Sequence, residues 1–159
     1  RRKLNAIPRE FSGKNILLVD DSIVRGTTSA QIIEMAREVG AAKVYFASAA
    51  PPVRHPNVYG IDMPAVDEFI ANGKSIEEIN QTIGSDRLFY QTLEDLIEVT
   101  MRKGCGLDGF DSSCFDGKYI TGDIDSEYLE KLRAARNDAS KVEESMDDER
   151  SIDMHNHQI

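Results

Sequence analysis

The stretch Val19–Ser29, VDDSIVRGTTS, carries the chain from a short apolar run into a helix-forming one across a turn that contains Gly26. Before it, Asn15–Val19 (NILLV) is continuously apolar and is bounded by Gly13 and Lys14. That is the pattern of a parallel strand buried on both faces, here ended by two adjacent carboxylates, Asp20 and Asp21. After the turn, Thr28 or Ser29 can cap a helix in which Ile32, Ile33, Met35, Ala36 and Val39 recur near helical period, with Gly40 ending it. A second run, Lys43–Ala50, stops at Pro51 and Pro52. Strand, helix and strand in this order predict a βαβ unit with parallel strands.

Further along, the sequence predicts mainly helix and loop. A short helix is expected over Ala65–Ala71, broken at Asn72-Gly73. Ser75 with Glu78 is a capping box opening a helix with Ile76, Ile79 and Ile83 on one face, and Gly84 closes it. Arg87–Tyr90 fits a further short strand, and Thr92–Lys103 an amphipathic helix with Leu93, Leu96, Ile97 and Met101 inward. Gly104–Gly117 is loop-like, after which Asp125 or Ser126 caps a helix bearing Tyr128, Leu129 and Leu132. The residues from Asp138 onward hold seven acidic and two basic groups and few apolar ones. Such a tail buries too little surface to offset chain entropy and is expected to be disordered.

Composition narrows the function classes. The 159 residues carry a formal net charge of -9, which argues against a general nucleic-acid surface, and no apolar run reaches the length of a membrane span. Two cysteines, Cys105 and Cys114, are too few for a disulfide scaffold, and no basic-then-apolar leader is present, so the expected compartment is the cytoplasm. The acidity is uneven: residues 1–14 carry five basic and one acidic group. The opening Arg1-Arg2-Lys3, without an initiator Met, fits the interior of a longer protein.

The motif has a definite chemistry. Backbone N–H groups at a helix N-terminus and around a glycine can cradle a phosphate, helped by the helix dipole and by the hydroxyls of Thr27, Thr28 and Ser29. Gly26 allows close backbone approach. Carboxylates at the strand end can accept hydrogen bonds from vicinal sugar hydroxyls or meet a hydrated Mg²⁺. Together these features select a ribose 5-phosphate. No GxxxxGK[ST] and no GxGxxG occurs, so P-loop and dinucleotide sites lack their marker residues. Taken in isolation, paired Asp and a Thr-rich helix start would also serve as ordinary capping; the whole eleven-residue string is far more specific.

That string resembles the phosphoribosyl pyrophosphate (PRPP) motif of type I phosphoribosyltransferases. More narrowly, together with the downstream Tyr59-Gly60-Ile61-Asp62-Met63-Pro64, the FDGKYITGDI segment and the MHN of the tail, it is similar to the amidophosphoribosyltransferase (glutamine PRPP amidotransferase) family. The resemblance implies an α/β fold: a partial type I phosphoribosyltransferase with a Rossmann-like parallel sheet over residues 1–60, a C-terminal helical extension over 61–137, and the acidic tail over 138–159. It implies a glycosyltransferase of purine biosynthesis in which ammonia from glutamine displaces pyrophosphate from C1 of PRPP. Asp20 and Asp21 would engage the ribose hydroxyls and Mg²⁺, and Ser22, Arg25, Gly26, Thr27, Thr28 and Ser29 would bind substrate around the 5′-phosphate. Lys3, with Arg1 and Arg2, resembles the end of a mobile loop that closes over pyrophosphate, or else is solvated charge. AMP or GMP would compete as inhibitors, and the family resemblance suggests a homotetramer.

Two further features sharpen the likeness. Val24 occupies a position where purine-salvage relatives resemble one another in having an Asp for the base's proton. Ammonia attacks through a free lone pair and needs no such base. Some family members hold an iron–sulfur cluster on four cysteines, and three of those positions correspond here to Asn57, Asp111 and Cys114. One cysteine of three cannot support a four-thiolate cluster, so no iron–sulfur cofactor is expected and the thiols are ordinary. His155 and His157 read as solvated tail residues, and His55 is assigned no role. The glutaminase nucleophile and the earlier strands are not in these residues, so the chain is expected to be a C-terminal portion, inactive and poorly stable alone. Two alternatives remain. A receiver domain shares the acidic strand end but needs a phosphoacceptor Asp where Ala49-Ala50-Pro51-Pro52 stands. A non-catalytic PRPP-sensing regulatory domain is compatible with Val24 and would carry a DNA-binding helix-turn-helix upstream in place of a glutaminase.

Overall fold

The computed structural model describes residues 6–101 and 106–135. In chain order these form α1 (Pro8–Phe11), β1 (Asn15–Asp20), α2 (Thr27–Glu38), β2 (Lys43–Ser48), a 3₁₀ turn (Val66–Glu68), α3 (Ile76–Ile83), β3 (Arg87–Tyr90), α4 (Leu93–Thr100) and α5 (Ser113–Asp116), with a further helical stretch over residues 126–135. The three strands make one parallel sheet in the order β1-β2-β3. The βαβ unit expected around the motif is therefore present, and Arg87–Tyr90 extends it by one strand.

Among the described residues, helices pack over one face of the sheet. Ile33 and Ala36 of α2, Ile79 and Ile83 of α3, and Val44, Phe46 and Leu88 of the strands form the core, together with Ile23, Ile70 and Ala71 from the connecting segments. The opposite face carries Leu17, Val19 and Phe89, exposed by 58, 70 and 44%. β1 was expected to be buried on both faces; among the described residues it is an edge strand, and only its Ile16–Leu18–Asp20 side is covered.

Asp86 ties the sheet to α2. Its carboxylate accepts the Val44 N–H at 2.7 Å and pairs with Arg37 at 2.9 Å, while Arg37 also donates to the Gly84 carbonyl. The bond from Val44, with Arg37 in support, holds this carboxyl below its ordinary value.

Other elements differ from expectation in instructive ways. Ala65–Ala71 is not a helix: only Val66–Glu68 coils, and Phe69, Ile70 and Ala71 run extended or in a turn with their side chains buried. The Ser75–Glu78 capping box closes as expected, but Ile76 remains 46% exposed, while Ile79 and Ile83 of the same helix are buried. α4 starts at a Thr92 cap but buries nothing fully; Leu93 and Leu96 are half-covered, while Ile97 and Met101 lie at the surface. Asp125 accepts the Tyr128 N–H and so caps residues 126–135. No helix among the described residues is long and apolar enough to cross a membrane. The acidic tail, Lys3, Cys105, His155 and His157 lie outside the described residues.

Candidate functional site

β1 ends at Asp20, at the carboxyl edge of the sheet, where ligands of open parallel α/β folds bind. Asp20 Oδ1 accepts the Asp21 N–H at 3.0 Å, and the Ser22 hydroxyl donates to Asp21 Oδ1 at 3.3 Å, which orders the two carboxylates. Asp21 is exposed and Asp20 half-buried. The chain then dips inward: Ile23 is 1% exposed and belongs to the core. This single apolar residue anchors the loop between the carboxylates and the helix.

The helix does not begin with the Thr28 or Ser29 cap expected. Gly26 takes the N-cap position with φ of 77°, a left-handed conformation, and no side chain caps the helix. The first helical bond is from the Ala30 N–H to the Gly26 carbonyl at 2.9 Å. The N–H groups of Thr27, Thr28 and Ser29 therefore precede the helical ladder, at the positive end of a 12-residue helix. Thr27 and Thr28 are exposed, with their hydroxyls at the same end. The Ser29 side chain is buried, the residue being 3% exposed, while its N–H lies at the helix N-terminus.

A segment distant in sequence braces this loop. The Ile70 N–H donates to the Val24 carbonyl at 2.8 Å. A Cβ on Gly26 would collide with Ile70 Cδ1 and lie 3.4 Å from Ile83 Cγ2, so the position is restricted by space as well as by φ. Arg25 pairs with Glu68 at 2.7 Å. From the other side, Arg54 donates to the carbonyls of Ala71 and Lys74 at 2.6 and 3.2 Å. Neither Glu68 nor Ile70 was visible as a site residue in the sequence, since the contact closes across some forty residues and no local motif marks it.

The strand register adds Ser48 and Tyr90 to the same edge, in line with Asp20. The Ser48 hydroxyl is taken up by the Ala50 backbone. Burial pushes the Tyr90 phenol up to about 12, and its hydroxyl has no hydrogen-bond partner among the described residues. It stays protonated at neutral pH and is no general base.

No family model matches the chain. A protein of Haemophilus influenzae named amidophosphoribosyltransferase is 60% identical over 141 residues, covering 89% of this chain and 28% of the relative. The chain belongs to the amidophosphoribosyltransferase family. A relative of that name from Escherichia coli is 54% identical over 156 residues, which is 98% of this chain and 31% of the relative. Among solved structures, the glutamine PRPP amidotransferase of Bacillus subtilis complexed with ADP and GMP superposes with a TM-score of 0.66 at 42% identity, covering 81% of this chain and 29% of that one. A second, described as the allosteric regulatory enzyme of purine biosynthesis, gives 0.72 at 41%, with 84 and 29% covered. The chain thus spans about three-tenths of the length of these amidophosphoribosyltransferases, and the partial α/β fold is theirs.

The three positions compared with cluster cysteines of this amidophosphoribosyltransferase family have other work. Asn57 is 2% exposed, and its Oδ1 accepts the N–H groups of Tyr59 and Ile61 at 2.9 and 3.0 Å. The Asn57 N–H and the Cys114 thiol both reach Met63 Sδ, at 3.3 and 3.9 Å. Burial pushes the Cys114 thiol up, keeping it protonated. Asp111 Oδ1 accepts the Ser113 N–H. His55, unassigned in the sequence, packs its ring against Gly117, and the Arg54 and His55 N–H groups donate to the Cys114 carbonyl. These contacts join residues 54–63 to 111–117.

Proposed function

We propose that this chain is the C-terminal portion of an amidophosphoribosyltransferase and supplies the ribose 5-phosphate half of its PRPP site. The observation that carries this is the placement of two ordered carboxylates, Asp20 and Asp21, one buried turn away from a Gly26-led helix N-terminus whose N–H groups are unused among the described residues. A ribose 5-phosphate is acidic at one end and rich in hydroxyls at the other, and the site matches both ends.

On this proposal the Thr27, Thr28 and Ser29 N–H groups, with the Thr27 and Thr28 hydroxyls, bind the 5′-phosphate, and Asp20 and Asp21 accept hydrogen bonds from the ribose 2- and 3-hydroxyls. Ser22 and Gly26 shape the loop between them. Adjacent carboxylates with solvent on one side suit a hard divalent ion that keeps most of its waters, so the donor set fits Mg²⁺ held by Asp20 and Asp21. When bound, Mg²⁺ neutralises charge on the departing pyrophosphate. The C1–O bond breaks with both electrons going to pyrophosphate, and the ammonia lone pair forms the C1–N bond; the surplus proton then leaves the new ammonium group. Val24, apolar and half-buried, offers no base at this place, as expected where the nucleophile brings its own lone pair.

The glutaminase, the remaining pyrophosphate contacts, Lys3 as one of them, the oligomer, inhibition by AMP or GMP at this same loop, and cytoplasmic residence all belong to the complete protein in this proposal. The B. subtilis neighbour's complex with ADP and GMP supports a nucleotide-accepting site. The test is kinetic. In the full-length protein, Asp20→Ala and Asp21→Ala should each raise the KM for PRPP and cut phosphoribosylamine synthesis by about 100-fold, the scale of losing an electrostatic contact at the reacting sugar, while glutamine hydrolysis persists. Wild-type PRPP kinetics in both variants would sink the assignment.

A further inference from the structure

Three contacts converge on the loop from one short segment: the Arg25–Glu68 pair, the Ile70 N–H on the Val24 carbonyl, and the Ile70 side chain in the space that a side chain at position 26 would need. Glu68 is itself oriented, because its other carboxylate oxygen accepts the Ala65 N–H at 3.1 Å. Behind it, Phe69, Ile70 and Ala71 are buried, so Glu68 stands on a packed base.

We propose that Glu68 is a positioning residue for the PRPP loop: it ties the Arg25 side chain to the 65–71 segment, so that the loop meets the phosphate with backbone N–H groups rather than with the guanidinium. This rests on the PRPP assignment above. Arg25 and Glu68 side chains are 56 and 37% exposed, and exposed pairs stabilise a fold by little. The consequence is geometric instead. Arg25 adjoins the left-handed Gly26, and fixing its side chain on one side fixes how the following N–H groups point. The bond from Ile70 to Val24 restrains the same backbone one residue earlier.

A double-mutant cycle in the full-length protein separates this role from direct phosphate contact. Arg25→Ala and Glu68→Ala should each raise the KM for PRPP by about three- to fivefold, the range an exposed pair can supply, with kcat within about twofold of wild type. The double variant should be no worse than either single one. The exchange variant Arg25→Glu with Glu68→Arg should return to within about twofold of wild type, because the tie is restored with its polarity reversed. Glu68→Gln, which keeps an acceptor for Ala65, should behave like Glu68→Ala. The proposal is overturned if Glu68→Ala leaves the KM unchanged. It is equally overturned if Arg25→Ala is far more damaging than Glu68→Ala and the exchange variant is the worst of the series, since a carboxylate would then face the phosphate. A wild-type protein that neither binds nor turns over PRPP overturns both proposals; wild-type turnover without coupling overturns only this one.

Discussion

On the helix-covered face of the sheet Val44, Phe46 and Leu88 are 0, 1 and 6% exposed, whereas Leu17, Val19 and Phe89 on the opposite face are 58, 70 and 44% exposed. The residue types are alike; what differs is whether a helix packs over them. The candidate site belongs to the covered side, since Ile23 and Ile70, which hold its loop, are both core residues. The lesson is that the loop's shape depends on packing from α2, α3 and the 65–71 segment, and not on the bare face. Parallel sheets are ordinarily covered on both faces, so an apolar bare row fits a chain that spans three-tenths of its relatives' length.

The contrast can be broken most strongly at Phe46. Phe46→Ala removes the largest side chain fully buried among the described residues and should cost about 3–5 kcal/mol, measured by denaturant unfolding. Next comes Gly26→Ala, which adds a Cβ in a left-handed conformation against Ile70 Cδ1; about 1–3 kcal/mol is expected. Pairing it with Ile70→Ala should not restore stability, because the φ strain remains and a core side chain is lost. A smaller effect belongs to Asp86. Its carboxyl is held below the ordinary value chiefly by the Val44 N–H, so its contribution is fully present above about pH 4 and is lost as pH falls through the lowered folded value. Asp86→Ala should cost about 1 kcal/mol at pH 7 and flatten the acid limb of the stability profile. The smallest change is on the bare face: Val19→Thr in this chain should shift stability by no more than about 0.5 kcal/mol, with a visible gain in solubility. The same substitution in the full-length protein should cost more, and equal effects in both would mean that this face stays bare there.

How much was legible depended on how far each determinant acts along the chain. The strand end, the acidic pair and the turn of Val19–Ser29 are set by neighbours within a few residues and are where the pattern placed them, and the helix follows with its start moved to Gly26. The Ser75–Glu78 box and the parallel pairing of β1 with β2 were legible for the same reason. Ala65–Ala71 was misjudged because helical composition lost to burial of Phe69, Ile70 and Ala71 in an irregular path. The inward stripe of α4 was only half realised, since periodicity tells which residues share a face but not whether another element covers it.

By itself, then, the sequence determined the α/β class and the family resemblance, because local spacing and residue type specify those features, and the phosphate-and-diol chemistry proposed for Val19–Ser29 rests on the same spacing. Only the tertiary structure decided that Gly26 rather than Thr28 or Ser29 starts α2, that the Ser29 side chain faces inward, and that Glu68 and Ile70 brace the loop. The contacts that brace the loop at Val24, Arg25 and Gly26 join segments more than forty residues apart, are fixed by how the core packs and leave no periodic trace in either segment.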